Sequence, residues 1–321
     1  MNEFELIARY FARPRLNRSG RALLGVGDDC ALLAPTPGMQ LAISADMLVE
    51  GRHFFADVDP RRLGHKALAV NLSDLAAMGA KPAWCTLSIA LPAIDEAWVA
   101  AFCDGFFALA DEHELELIGG DTTRGPLTIA VQIAGEVPPG AALRRDGGQA
   151  GDDVWVSGSL GAAAAAVMHR TGRLVLNDAK LAECLDQLDL PTPRITLGLA
   201  LRGLATAALD LSDGLVGDLN HICERSRCGA QLDWPAVPVH SALAGLPEPL
   251  RQEAALAGGD DYELCFSAPA ARRDVLSTLA ESLGLPLTRI GRLVTGQGVS
   301  VCDAAGQLIP LTHSGFDHFA V

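Results

Sequence analysis

Apolar and polar positions fall into runs whose period changes along the chain, and each period predicts an element. Residues 39–51, MQLAISADMLVEG, alternate with Leu41, Ile43 and Ala45 as the apolar set; this predicts a strand ended by the polar Asp46. After Pro60, RRLGHKALAVNLSDLAAMG has the length and composition of a helix. It closes on Gly79, with Pro82 soon after. TLSIALP (86–92) predicts a strand and DEAWVAAFCDGFFALADEH (95–113) an amphipathic helix. ELELIGGD predicts a strand running into a glycine turn, and LTIAVQIAGEV (127–137) a further strand. At the start, Phe4, Ile7, Ala8 and Phe11 mark one side of a short amphipathic helix.

The texture then changes. PPGAALRRDGGQAGDD (138–153) concentrates Pro, Gly and charge. Beyond it, DVWVSGSLG predicts a strand and turn, followed by helices over about 161–171 and 195–208. ALDLSDG predicts a strand or turn, LVGDLNHICERS a helix, GDDYELCFSAP a strand and DVLSTLAESLGL a helix, with short strands near the end. Strands and helices alternate in both halves, so the expected class is α/β or α+β in two domains. The expected division is an N-terminal domain 1–138, a linker 139–150 and a C-terminal domain 151–321.

Length agrees with two domains, since 321 residues is long for one core. Hydrophobic residues make up 49% and charged residues 20%, enough to bury that core. A net charge of −14 argues against nucleic acid and anionic membranes as partners, because neither is attracted to such a surface. Small phosphorylated ligands remain open, since carboxylates can hold cations and cations can hold phosphate. The eight cysteines include no CxxC pair and sit mostly in apolar runs such as ELCFSA, as expected of reduced buried thiols in a cytosolic protein. No apolar region follows a basic start and no run of 18 apolar residues occurs, so the expected location is cytoplasmic.

Acidic residues at unusual places carry the chemistry. Asp28 and Asp29 follow GVG, Asp121 closes LIGGD, and Asp260 and Asp261 follow AGG; each alone would be an ordinary turn. Asp46 ends the first long strand, and Asp210 and Asp213 lie in LDLSDG. Asp74 lies in an apolar helix, where a lone carboxylate is costly unless paired or metal-bound. NLSDLAAMG and DLSDGLVGD echo each other, a hint of two similar turns facing one site. If the carboxylates converge, their repulsion needs a cation. With no His or Cys cluster beside them, an oxygen-ligated hard ion, Mg²⁺ or Ca²⁺, fits better than zinc. The P-loop, the full GxGxxG fingerprint and the protein-kinase motifs are absent. A phosphate binder of this kind would rely on metal and glycine-turn amides, with Arg124 and Arg145 as candidate cationic partners.

In order along the whole chain, GVGDDCALL, ISADMLVEGRHF, KALAVNLSDLAAMGAKP, LIGGDTTRGPL, ALDLSDGLVGDL, GGDDYELCF and the terminal GFDHF resemble the bacterial thiamine-monophosphate kinase family. That family lies within the ATP-dependent aminoimidazole ribonucleotide synthetase-like superfamily. DLAAMGA and GDD indicate the superfamily; VEGRHF, GGDTTRGP and GFDHF indicate the kinase. The resemblance implies a two-domain fold with an N-terminal sheet that forms a barrel across a homodimer. It also implies ATP-dependent conversion of thiamine monophosphate to thiamine diphosphate. Position by position it assigns Asp28, Ser44, Asp46, Asp74, Asp121, Asp210 and Asp213 to several Mg²⁺ ions, and Gly120, Asp121, Arg145 and Ser212 to ATP. His53, Asp260 and Phe316 fall to the thiamine monophosphate pocket.

Two positions depart from the family pattern. ISAD replaces the frequent ISTD, leaving Ala45 only a backbone carbonyl to offer, and GGDD replaces GGED, making Asp260 one methylene shorter. No general base is expected, because the acceptor phosphate is already ionised; positioning and electrostatics would carry the reaction. Among superfamily rivals, selenophosphate enzymes carry an early Cys or selenocysteine and hydrogenase-maturation proteins a reactive cysteine tail. This sequence shows neither.

Overall fold

The computed structural model describes residues 2–12, 21–311 and 315. The chain divides into two compact units, Met1–Leu75 with Ala80–Gly140, and Ala76–Gly79 with Ala141–Val321.

The first unit begins with α1 (Glu3–Leu6), which runs on as one π-helical turn, Ile7–Phe11, burying Leu6 and Phe11. A small hairpin, β1 (Ala22–Leu24) with β2 (Leu32–Leu33), precedes the elements that build the unit. These are β3 (Gln40–Val49), α2 (Pro60–Ala77), β4 (Lys81–Leu91), α3 (Glu96–Glu112), β5 (Glu116–Arg124) and β6 (Thr128–Val137). The four long strands form one sheet in the order β3-β6-β4-β5. Only β4 and β5 are parallel neighbours, and α3 makes the crossover between them. Asp95 caps α3 by accepting from the amides of Ala97 and Trp98. A Cβ on Gly64 would lie 2.0 Å from the Phe102 carbonyl oxygen, and one on Gly105 1.8 Å from that of Arg61. The two helices therefore cross where neither backbone carries a side chain.

One sheet face is buried through Leu48, Ile129, Val131, Ile133, Cys85, Leu87 and Ile89. On the other face the hairpin covers Trp84 and Ile118 with Ala22 and Leu33, while Leu41, Ile43 and Met47 on β3 are exposed. The alternation of Leu41 and Ile43 thus marks a strand, and the apolar set it picks out is the open face. Nor does Asp46 end that strand. The ladder with β6 continues from Gln40↔Val137 to Val49↔Thr128, so Asp46 lies inside it. β5 likewise passes through both glycines of LIGGD without turning, with Gly119, Gly120 and Asp121 in register with Thr86, Leu87 and Ser88. Gly120 has φ +147°, and a Cβ there would sit 1.8 Å from the Leu87 carbonyl oxygen. Close backbone approach, rather than a turn, demands glycine at that point.

The second unit runs β7 (Asp153–Ser157), α4 (Ala162–Arg170), α5 (Asp178–Asp189), α6 (Ile195–Ala200), β8 (Ala207–Asp210) and α7 (Leu215–Ser226). It continues with β9 (Gly229–Asp233), α8 (Glu248–Ala257), β10 (Leu264–Ala268), α9 (Arg273–Leu283), β11 (Leu287–Val294) and β12 (Gly298–Cys302). Its six-stranded sheet has the order β12-β9-β11-β7-β10-β8, antiparallel except for β12 beside β9. Leu215, Leu219 and Ile222 of α7 join a core with Val154, Val156, Leu209, Leu232, Cys265 and Ile290. Burying each large aliphatic side chain is worth about 2 kcal/mol, so α7 is held mainly by this face.

The helix expected over 195–208 stops at Ala200, because residues 207–210 are taken into the sheet as β8. The helices α5 and α8 and the strand β9 have no counterpart in the sequence reading. Residues 138–152 carry no helix or strand, yet much of this stretch bonds into the second unit. Ala208 donates its amide to the Arg144 carbonyl, Ser226 Oγ donates to that of Arg145, and Gly151 donates to that of Leu293. Seven cysteines are buried, Cys30 is exposed, and all eight are free thiols. Among the described residues no helix is long and apolar enough to cross a membrane.

Candidate functional site

In the first unit the candidate residues are set by a polar seam along α2, a helix otherwise buried nearly all round. Asp74 Oδ2 accepts the Ser44 hydroxyl at 2.5 Å. Asn71, 1% exposed, accepts the Asp46 amide on Oδ1 at 3.1 Å and donates Nδ2 to the Ala67 carbonyl at 3.0 Å. Lys66, also 1% exposed, donates Nζ to the His53 carbonyl at 3.1 Å. Asn71 and Asp74 are three positions apart, and with Lys66 they fall on one broad side of α2 that reaches β3 and the turn after it. Ser44, Asp46 and Asp74 are thereby brought together. A hydrogen bond to a carboxylate contributes about 1.5–3 kcal/mol, which offsets part of the cost of placing Asp74 on this helix.

His53 lies in the tight turn after β3. Its amide donates to the Val49 carbonyl, and its Nδ1 accepts from the Val49 amide, both at 3.0 Å. Asp28 sits exposed in the turn after β1, where its Oδ1 accepts the Asp29 amide at 2.8 Å. Gly120 shares a cross-strand row with Asp46 through Val131 and Leu87, but on the far edge strand of the sheet. Three strand spacings amount to roughly 14 Å. Asp121 is exposed beside Ser88 on that edge, away from Ser44 and Asp74 within this unit. Arg124 donates Nε to the Pro92 carbonyl at 3.3 Å.

In the second unit β8 pairs with β10 and ends on buried Asp210, and backbone bonding to the segment before β10 continues through the bend. Leu211 donates to the Glu263 carbonyl, Tyr262 to that of Leu211, and Asp260 to that of Ser212. Ser212 and Asp260 are therefore neighbours. Asp260 adopts φ +66°, and its Oδ1 accepts the Tyr262 hydroxyl at 3.1 Å. Asp213 is oriented by Asp218, whose Oδ2 accepts the amides of both Asp213 and Gly214 at 3.0 Å. Burial pushes the Asp218 carboxyl up to about 6 against the pull of those two amides, and the charge of Asp213 adds to the rise. Arg145 is exposed. Phe316 lies outside the described residues.

The supporting roles of Asp261 and Glu263 are not visible in the sequence. Asp261 accepts the Gly161 amide at 2.8 Å, leaves Oδ2 buried without a partner, and is raised well above the usual carboxylate range by burial. Glu263 is gripped by Nε and Nη2 of Arg194 and accepts the Ser157 hydroxyl at 2.5 Å. The two LSD triplets are not similar turns: the first lies inside α2, the second in the bend between β8 and α7. Their likeness is local sequence only.

Among the described residues no three His, Cys, Asp or Glu side chains gather into a metal-holding group. The donors in the seam, two carboxylates and a hydroxyl, are all oxygen and lack sulfur or imidazole. By donor chemistry they fit a hard cation.

Residues 27–137 match the family described as AIR synthase related protein, N-terminal domain, and residues 149–303 match its C-terminal domain. The thiamine-monophosphate kinase of Escherichia coli K12 is 49% identical over 321 residues, covering 99% of this chain and 98% of that protein. The crystal structure of thiamine-monophosphate kinase from Stenotrophomonas maltophilia K279a is 52% identical with a TM-score of 0.87, over 96% of this chain and 98% of that one. The structure of AaThiL complexed with AMPPCP and TMP is 30% identical with a TM-score of 0.78, over 89% of each chain. The chain therefore belongs to the AIR synthase related family and, within it, to the thiamine-monophosphate kinases.

Proposed function

We propose that this chain phosphorylates thiamine monophosphate with ATP, giving thiamine diphosphate and ADP. The observation that carries this reading is the 49% identity to a thiamine-monophosphate kinase across essentially the full length of both proteins. A relative at 30% identity complexed with AMPPCP and TMP supports the substrate pair. An oxygen of the acceptor phosphate forms a bond to the γ-phosphorus in line with the departing oxygen. The bond from that phosphorus to the β–γ bridging oxygen breaks, and ADP leaves with its electrons. The acceptor is ionised at neutral pH, so no side chain need remove a proton.

The chain's own residues then bind and align. Within this proposal Asp28, Ser44, Asp46, Asp74, Asp121, Asp210 and Asp213 hold Mg²⁺, and Gly120, Asp121, Arg145 and Ser212 contact ATP. His53, Asp260 and Phe316 contact thiamine monophosphate. Bound Mg²⁺ would supply charge neutralisation between donor and acceptor phosphates. The hydroxyl of Ser44, held on Asp74, and the amide of Asp46, held on Asn71, keep the first unit's donors in place. Asp218 does the same for Asp213.

The proposal extends to a cytoplasmic homodimer without nucleic-acid or membrane partners. Eight free thiols and the net charge of −14 support the compartment and the excluded partners. The open apolar face of edge strand β3 supports the dimer. The test is turnover of purified protein with ATP and thiamine monophosphate, with and without Mg²⁺. Thiamine diphosphate should form only with the metal, and EDTA should abolish it reversibly. Turnover on an aminoimidazole precursor instead would refute the assignment.

A further inference from the structure

Lys66 has no part in the chemistry proposed above, yet it is 1% exposed on a helix of apolar neighbours. Burying a lysine costs several kcal/mol unless its nitrogen is bonded, so its partner matters. One partner is the carbonyl of His53, at 3.1 Å. Two further bonds close the same turn: His53 N–H to the Val49 carbonyl, and Val49 N–H to His53 Nδ1, both at 3.0 Å. A ring nitrogen that accepts from an N–H carries no proton. In this arrangement the neutral imidazole is therefore the Nε2–H tautomer, which offers a hydrogen-bond donor and no acceptor beyond the turn.

We propose that Lys66 is a positioning residue for substrate: by bonding the His53 carbonyl, it fixes the turn that holds the His53 ring in its donor tautomer. Choosing thiamine monophosphate as that substrate rests on the kinase reading. The His53 tautomer does not.

Two measurements separate this from a purely structural role. Lys66→Met removes the donor at similar length, and Lys66→Gln keeps a shorter N–H donor. KM for each substrate is read beside the ¹⁵N spectrum of the His53 ring. Wild-type protein should show the Nε2–H tautomer. In Lys66→Met the ring should become a tautomer mixture and KM for thiamine monophosphate should rise about tenfold, the effect of losing one buried hydrogen bond. KM for ATP should stay within about twofold, and Lys66→Gln should fall between. The proposal is overturned if KM for thiamine monophosphate and the tautomer fail to move together, or if both KM values rise equally. Should Lys66→Met not fold, the wild-type and Lys66→Gln spectra decide: a wild-type ring protonated on Nδ1, or a Gln variant with the wild-type spectrum and KM, overturns it. Absence of wild-type turnover would sink the kinase reading while leaving the spectra to judge Lys66.

Discussion

At Asp74 a carboxyl sits on a helix whose neighbours are nearly all buried, and it accepts a hydroxyl from a serine on the facing strand. An isosteric amide there keeps the shape and removes the charge. Asp74→Asn is accordingly expected to fold normally, by circular dichroism and thermal melting, and to lose at least about a hundredfold in turnover, a common scale for removing one electrostatic contributor. Near-normal activity in a folded variant would remove Asp74 from the proposed metal set. The oddity of Asp74 was legible in the sequence because a charge among Leu, Ala and Val needs a reason. Lys66 and Asn71 carry the same signal eight and three positions earlier on the same helix. Being basic and neutral, they lie outside the pattern of carboxylates. Asp218 and Asp261 were not legible as supports, because their partners are backbone amides that composition does not reveal.

Among the elements, α3 and α7 follow their apolar periods closely, since each buries a continuous stripe. Glycine in β5 serves close backbone approach instead of a turn, and alternation in β3 does not say which face is covered. The expected helix also runs past Ala200, because nothing local announces that residues 207–210 will be drawn into a sheet. The second sheet offers an element-scale prediction at Asp153, the first residue of β7. Its buried carboxylate takes two bonds from Arg273 on α9, at 2.6 and 2.7 Å, and one from Arg289 on β11, at 2.7 Å. The Arg273 guanidinium, with Arg289, holds this carboxyl below the usual carboxylate range. A depressed folded-state value stabilises the fold above the unfolded value of about 4, and that stability is lost as pH falls through the folded value. Asp153→Asn should cost about 2 kcal/mol at pH 7 by urea unfolding. Its stability should also decline less than wild type as pH falls below about 4. Parallel curves for the two proteins would contradict the assignment.

For the whole molecule, the alternation of strands and helices was enough to place the chain among two-domain α/β and α+β proteins, and the ordered motifs were enough to place its family. Hidden from pattern reading was the incompleteness of the first sheet. β3 is an edge strand whose open face exposes Leu41, Ile43 and Met47, and such an edge is usually covered. If a second copy covers it, sedimentation should give twice the chain mass. Ile43→Lys with Met47→Lys should shift the protein to the monomer; a wild-type monomer would contradict this. The central claim is the transfer of the γ-phosphoryl group of ATP onto the phosphate of thiamine monophosphate. Its most direct test is to follow the label of [γ-³²P]ATP with the purified protein, Mg²⁺ and thiamine monophosphate. Label should appear in thiamine diphosphate, in a one-to-one ratio with ADP formed. Label released as inorganic phosphate, with thiamine monophosphate unchanged, would contradict it.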